Sequence, residues 1–308
     1  MSQTGVLAFN YSSVISPGIN GQLTWMGRDG KPLGTVGPPS FLTALAISPD
    51  GGTVAVGKND LESGFPALWL HDLAHGTDSR FTLGSSDSWP VWSPDGSKIL
   101  YTSDRDGKWS LWQKPASGTG NAEFLYQSPL LMVSTDWSHD GRFVIFQNLD
   151  PTTGSDIWVL PMTGDRKPYA FLQSSAMEAL GKLSPDDRWL AYQSNETDNF
   201  EIYVQAFPGK ERKWPVSAKG GARPIWSHDG KELFYMAADS TLMVVDVQSG
   251  VRFEHGNPKP VFQTQLAPSS WHFDVSLDGK RFLLVAPLEQ AANPAMTVVV
   301  NWHAGVKR

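Results

Sequence analysis

Few residues of this chain have both the type and the spacing to do chemistry. His272 and Asp274 lie two apart, so on a strand they would share one face and could work as an acid–base pair. Arg223 would add a cation beside such a pair. Asp136 and Lys182 carry opposite charges at equivalent places of a repeat set out below, which fits an ion pair. Trp89 and Trp271 fall outside the register kept by the other tryptophans, and their flat rings suit stacking on a ligand. A second group is rich in acids and amides: Asn59-Asp60, Asp104-Arg105-Asp106-Gly107, Asn148-Leu149-Asp150 and Asn195-Glu196-Thr197-Asp198. Converging oxygens from these segments would suit a cation such as Ca²⁺, a sugar or a basic peptide. Asn and Asp also make turns for purely local reasons, so that reading stays open.

Other chemistry is missing. The chain holds no cysteine, which removes thiolate nucleophiles, thiolate metal ligands and disulfides. There is no G-x-S-x-G elbow, no H-E-x-x-H, and no phosphate-binding or dinucleotide fingerprint. His71 and His75 are four apart but flank a strand-like run, which weakens a metal reading. A net charge of −6 argues against a nucleic-acid partner. The apolar runs are too short to cross a bilayer. No basic segment leads into an apolar core at the start, so no signal peptide is expected.

The elements that must position these residues come from a repeat. One tight turn recurs as Ser48-Pro49-Asp50-Gly51, Ser93-Pro94-Asp95-Gly96, Ser138-His139-Asp140-Gly141, Ser184-Pro185-Asp186-Asp187, Ser227-His228-Asp229-Gly230 and Ser276-Leu277-Asp278-Gly279. Its aspartates are 45, 45, 46, 43 and 49 residues apart, and Ser2-Gln3-Thr4-Gly5 fits a degenerate further copy. Proline presets φ, aspartate bonds the backbone two residues on, and glycine supplies a positive φ. His139 and His228 stand where other copies have proline, so they read as exposed turn residues.

A β-rich run follows each turn, as in Ile99 to Thr102, and another ends just before it at Ile47, Trp92, Trp137, Leu183, Trp226 or Val275. A third run centres on Trp112, Trp158, Tyr203, Val244 or Val299, with Trp25 and Trp69 in the same place of the first copies. A short fourth run closes each unit. Four strands per repeat, with aromatics in register, predict an all-β fold: a β-propeller of four-stranded antiparallel blades forming a single domain over residues 1–308. Counting second and third strands favours seven blades. Six blades, with the terminal strands merged into one, is the alternative.

The turn followed by a strand such as Asp156-Ile157-Trp158-Val159-Leu160 resembles the TolB-like family of WD-type propeller repeats. The segments Trp25-Met26-Gly27-Arg28-Asp29-Gly30-Lys31, Gly164-Asp165-Arg166-Lys167-Pro168 and Thr297-Val298-Val299-Val300-Asn301-Trp302 look more narrowly like sensor propellers attached to bacterial serine/threonine kinases. The resemblance implies a periplasmic or extracytoplasmic protein and a non-catalytic binding or sensor role. Its partner would be a protein, a peptide or a small ligand, with no membrane insertion and no cofactor. A monomer is expected, because a closed ring leaves little unpaired edge.

In a propeller the first strand of each blade lines the central channel. Two residues before each turn serine stand Ala46, Val91, Asp136, Lys182, Ile225 and Asp274; four before it stand Ala44, Trp89, Ser134, Leu180, Arg223 and His272. The channel set is therefore Trp89, Asp136, Lys182, Arg223, Trp271, His272 and Asp274. The rim set, on the loops from second to third strand, is Asp104, Asp106, Asp150, Asn195 and Asp198. A lyase or hydrolase working in the channel is the alternative function. Trp92, Trp112, Trp137, Trp158 and Trp226 keep the register and are assigned to packing between blades.

Overall fold

The computed structural model describes residues 19–59, 65–83, 86–105, 107–209, 212–250, 252–264 and 272–288. Every regular element among them is a strand. Three complete blades follow the chain directly: β6 (Asp87–Trp92) to β9 (Glu123–Ser128), β10 (Met132–Trp137) to β13 (Tyr169–Leu172), and β14 (Glu178–Leu183) to β17 (Lys213–Pro215). A further blade is β18 (Ala222–Trp226), β19 (Glu232–Met236) and β20 (Thr241–Ser249), whose outer place is shared. There β21 (Phe253–His255) pairs with one end of β20 and β22 (Lys259–Gln263) with the other.

The remaining strands form a seven-stranded sheet that contains two blades. β23 (Phe273–Val275) and β24 (Arg281–Pro287) are its inner pair, and β1 (Ile19–Gly27) lies antiparallel to β24 with Trp25 opposite Leu283. The first part of β2 (Pro32–Ile47) is the outer strand of that blade. The end of β2 pairs with β3 (Thr53–Asn59), followed by β4 (Pro66–Asp72) and β5 (Thr77–Arg80), to make the first blade. The described strands thus group into six blades, two of which share one sheet. β1 takes the third-strand place that the seven-blade count reserves for residues 297–300, which lie outside the described residues, as do residues 6–9.

Packing supports the same arrangement. Six buried clusters each join two blades. One of them sets Leu23, Leu283 and Val285 of the closing blade against Leu42, Val54 and Val56 of the first. The in-register tryptophans do pack there: Trp137 and Trp226 are buried, while Trp92, Trp112 and Trp158 lie against the clusters.

The repeated turn has a physical explanation beyond its backbone angles. Ser93 Oγ donates to Asp95 Oδ1 at 2.6 Å and accepts the N–H of Lys98 at 2.9 Å, and Asp95 Oδ1 also accepts the N–H of Ser97 at 3.0 Å. The same serine-to-aspartate bond recurs at Ser48, Ser138, Ser184, Ser227 and Ser276. Asp187 replaces the usual glycine and adopts φ 57°. Its carboxylate accepts the N–H groups of His139 and Asp140, at 2.9 and 2.8 Å, in the preceding blade's turn. Proline at 139 could not donate that bond, so histidine there serves the turn-to-turn link.

Ser93→Ala should cost about 1–2 kcal/mol, the usual penalty for stranding a partly buried N–H, with the fold retained. Urea unfolding checks this, and an unchanged midpoint would contradict it. The serine bond, first among its causes, holds the Asp95 carboxyl down at about 2. Stability from that group is therefore present above its ordinary 3.8 and lost as pH falls through about 2.

Candidate functional site

The inner strands surround a cavity of about 300 Å³ on the axis of the ring. It opens on the face of the repeated turns, where the second residue of all six lines it: Pro49, Pro94, His139, Pro185, His228 and Leu277. His139 and His228, read from sequence as turn residues, therefore stand at the mouth of the cavity.

At its deeper end the backbone departs from regular β geometry. Each of the inner strands β2, β6, β10, β14 and β18 carries a register shift near the position four before its serine. In three of them the residue at that position is left-handed: Trp89 (φ 58°), Leu180 (φ 55°) and Arg223 (φ 56°). Bulky side chains rarely accept this conformation, and a bulge re-aims the side chain it carries. Trp89, Leu180 and Arg223 all line the cavity.

Side chains from non-neighbouring blades meet there. The Trp89 ring lies 5.5 Å from that of His272, tilted by 51°, although the first blade stands between theirs. Arg223 Nη1 lies 3.5 Å from His272 Nδ1. Burial and, second, the Arg223 charge push the His272 imidazole well below its ordinary value of 6.5. A neutral ring can accept from arginine through Nδ1, which places its proton on Nε2. That Nε2 is buried and has no hydrogen-bond partner among the described residues. Burial also lowers Arg223, to about 10, so it stays a cation at neutral pH.

Nearer the mouth, Lys182 Nζ lies 3.5 Å from Asp136 Oδ1, the ion pair that their matching positions predict. Asp136 Oδ2 accepts the N–H of Leu183 at 2.7 Å, and Asp274 Oδ2 accepts that of Ile47 at 2.8 Å. Each aspartate thus ties its blade to the next, and the second of these ties crosses the ring closure. Asp274 Oδ1 takes the Val275 N–H at 2.8 Å. Burial raises the Asp274 carboxyl, partly offset by the Ile47 bond. His272 and Asp274 line one cavity, but His272 Nδ1 faces Arg223, its Nε2 has no partner among the described residues, and Asp274 bonds backbone N–H groups, so the acid–base pair read from their spacing does not form.

No family model matches the chain. An uncharacterized protein of Agrobacterium fabrum is 25% identical over 202 residues, covering 62% of this chain and 68% of that protein. Among solved structures, a TolB candidate from Agrobacterium tumefaciens matches with a TM-score of 0.73 and 18% identity, over 88% of this chain and 99% of its own. TolB from Acinetobacter baumannii matches at 0.60 and 18% identity, over 86% of this chain and 64% of that one. In fold, the chain is a TolB-like β-propeller. Oligogalacturonate lyase from Vibrio parahaemolyticus shares the architecture at 0.55 and 15% identity, over 79% and 77%.

The described rim residues of this TolB-like propeller, Asp104, Asp150, Asn195 and Asp198, lie away from the cavity lining. Asp150 Oδ1 accepts the N–H groups of Thr152 and Thr153, at 2.7 and 3.3 Å, which lowers its carboxyl. Asn195 Oδ1 accepts the Met177 N–H at 2.7 Å, and Asp198 is a left-handed turn residue with φ 73°. These three make the loops themselves. Asp104 keeps a buried Oδ1 with no hydrogen-bond partner among the described residues. Asp106 and Trp271 lie outside the described residues.

Sequence reasoning placed Leu180 at a channel position without naming it a site residue, and it foresaw none of the three left-handed conformations. It also missed the side chains that serve the bulges. Gln147 Oε1 accepts the Leu180 N–H at 3.0 Å and Gln193 Oε1 accepts that of Arg223 at 3.1 Å, each from the preceding blade. Thr102 Oγ1 does the same for Ser134 at 2.9 Å. The available signal was a hydrogen-bonding residue after the aromatic of the second strand: Tyr101-Thr102, Phe146-Gln147 and Tyr192-Gln193.

Below about pH 6.5 the unfolded chain takes up a proton at residue 272 that the folded chain refuses, so stability falls as pH drops. His71, lowered by burial, acts with the same sign; His139, raised first by Asp187, acts with the opposite one. His272→Asn, which keeps an acceptor for Arg223, should therefore flatten the loss of stability between about pH 7.5 and 5. Denaturant midpoints at the two pH values check this. An equally steep loss in the variant would contradict a buried, neutral His272.

Proposed function

We propose that this TolB-like propeller is a non-catalytic binding module that takes its ligand in the central channel, entered from the face of the repeated turns. The observation that carries this reading is the set of three left-handed, bulky residues at one position of three blades. Such conformations cost of order 1–3 kcal/mol each and gather at ligand sites. A purely structural plug could use smaller residues with ordinary backbone angles.

The cavity suits a small molecule or a single extended chain end, since ligand pockets begin at about 300 Å³. The likeness to TolB supports a binding role and a periplasmic place. The link to kinase-attached sensor propellers rests on the sequence resemblance alone. No helix among the described residues is long and apolar enough to cross a membrane.

A thermal-shift screen of small molecules tests the reading. For any ligand found, Trp89→Ala should weaken binding at least about tenfold, as losing a stacking face does. Asp104→Ala at the rim should leave it unchanged. The reverse pattern would move the site to the rim.

A second reading has one observation in its favour: the neutral, unpartnered Nε2 of His272 beside Arg223 could serve as an acid–base group in a channel active site. One similar structure is an oligogalacturonate lyase in complex with manganese. The residues here do not fit such a metal: among the described residues no three His, Asp or Glu side chains gather to hold an ion. Turnover of oligogalacturonate that His272→Ala abolishes would favour the lyase reading.

A further inference from the structure

Arg223 is a cation on the cavity wall with no carboxylate partner among the described residues. The other channel cation, Lys182, has Asp136 at 3.5 Å. Charges taken out of bulk water are normally paired, so an unpaired guanidinium facing a cavity calls for an anion from outside the chain. Its remaining N–H donors stand beside His272, which is only 5% exposed and meets Arg223 Nη1 at its Nδ1. A guanidinium fork fixed in this way is complementary to a planar oxyanion.

Two features restrict that anion. Asp136 and Asp274 line the same cavity nearer its mouth, where Lys182 offsets only one of them, so a second negative charge on the ligand would meet repulsion; this favours a monoanion over phosphate. The deep end also offers apolar surface: the Trp89 indole, set 5.5 Å from the imidazole, and Leu180. A flat apolar body could lie there with its carboxylate on the donors.

We infer that Arg223 and His272 form a carboxylate-binding floor in the channel, and that the ligand is a small monocarboxylate whose flat apolar body rests against Trp89. The inference rests on the binding reading above and names the chemical class of its ligand.

The test uses the full chain with benzoate, its neutral analogue benzamide, acetate and inorganic phosphate as probes, followed by calorimetry and thermal shift. Benzoate should bind at least about tenfold tighter than benzamide, acetate or phosphate, the ratio expected for one charge-assisted contact. Arg223→Met should abolish that preference while leaving the melting temperature of the unliganded protein equal or higher, because it removes an uncompensated charge. Arg223→Lys, which keeps the charge without the fork, should retain part of the preference and serves should the methionine variant not fold. Equal binding of benzoate and benzamide, both lost in Trp89→Ala, would overturn the carboxylate floor and leave the channel reading standing. Benzoate binding that survives both Arg223 variants, tighter phosphate binding, or no binding of benzoate would also overturn it. Selective benzoate binding unaffected by Trp89→Ala would keep the floor and remove the stacking half of the inference.

Discussion

The structure depends on how the inner strands dispose of a backbone N–H that their bulges release. A bulge breaks the ladder, and a buried N–H without a partner costs about as much as a lost hydrogen bond. Here the preceding blade supplies the acceptor: Thr102 for Ser134, Gln147 for Leu180 and Gln193 for Arg223. With the N–H satisfied from outside, the strand can hold a left-handed residue and turn a large side chain toward the axis. The channel lining at Leu180 and Arg223 is thus a product of the contact between blades rather than of any one blade.

The same dependence runs the other way around the ring. Asp136 and Asp274 accept N–H groups from the following blade, and Trp92 and Trp226 donate their indole N–H to the carbonyls of Ala46 and Lys182 in the preceding one, both at 3.0 Å. Each contact adds polar specificity to an apolar interface. Charges on the channel wall are largely absorbed in this work. Lys182 and Asp136 pair, and Asp274 serves closure. Arg223 is left over, and its neighbour His272 is held neutral by burial and by that same cation.

Rim and channel therefore divide the labour. The acidic and amide residues at 150, 195 and 198 spend their oxygens or their backbone on shaping loops. The channel mouth is shaped by the repeated turns, where proline, histidine or leucine at the second position changes polarity without changing geometry. One histidine, His139, also links two turns, since its backbone N–H donates to the carboxylate of Asp187.

Much of the fold was legible in the sequence because its signals are local. The turn aspartate bonds a backbone group two residues away, and strand alternation assigns faces with a period of two. The phase of that repeat placed Trp89, Arg223, His272 and Asp274 on the channel wall, and it paired Asp136 with Lys182. Three things needed the tertiary structure. That strand β1 fills the closing blade leaves no local trace, because its partners are far away in the chain: Thr24 pairs with Leu284, 260 residues on. Two of the left-handed residues, Leu180 and Arg223, give their N–H groups to acceptors that another blade provides, so no window of sequence contains both partners. That His272 meets Trp89 and Arg223 at one place follows only from closing the ring, which brings residues of three blades to a common axis.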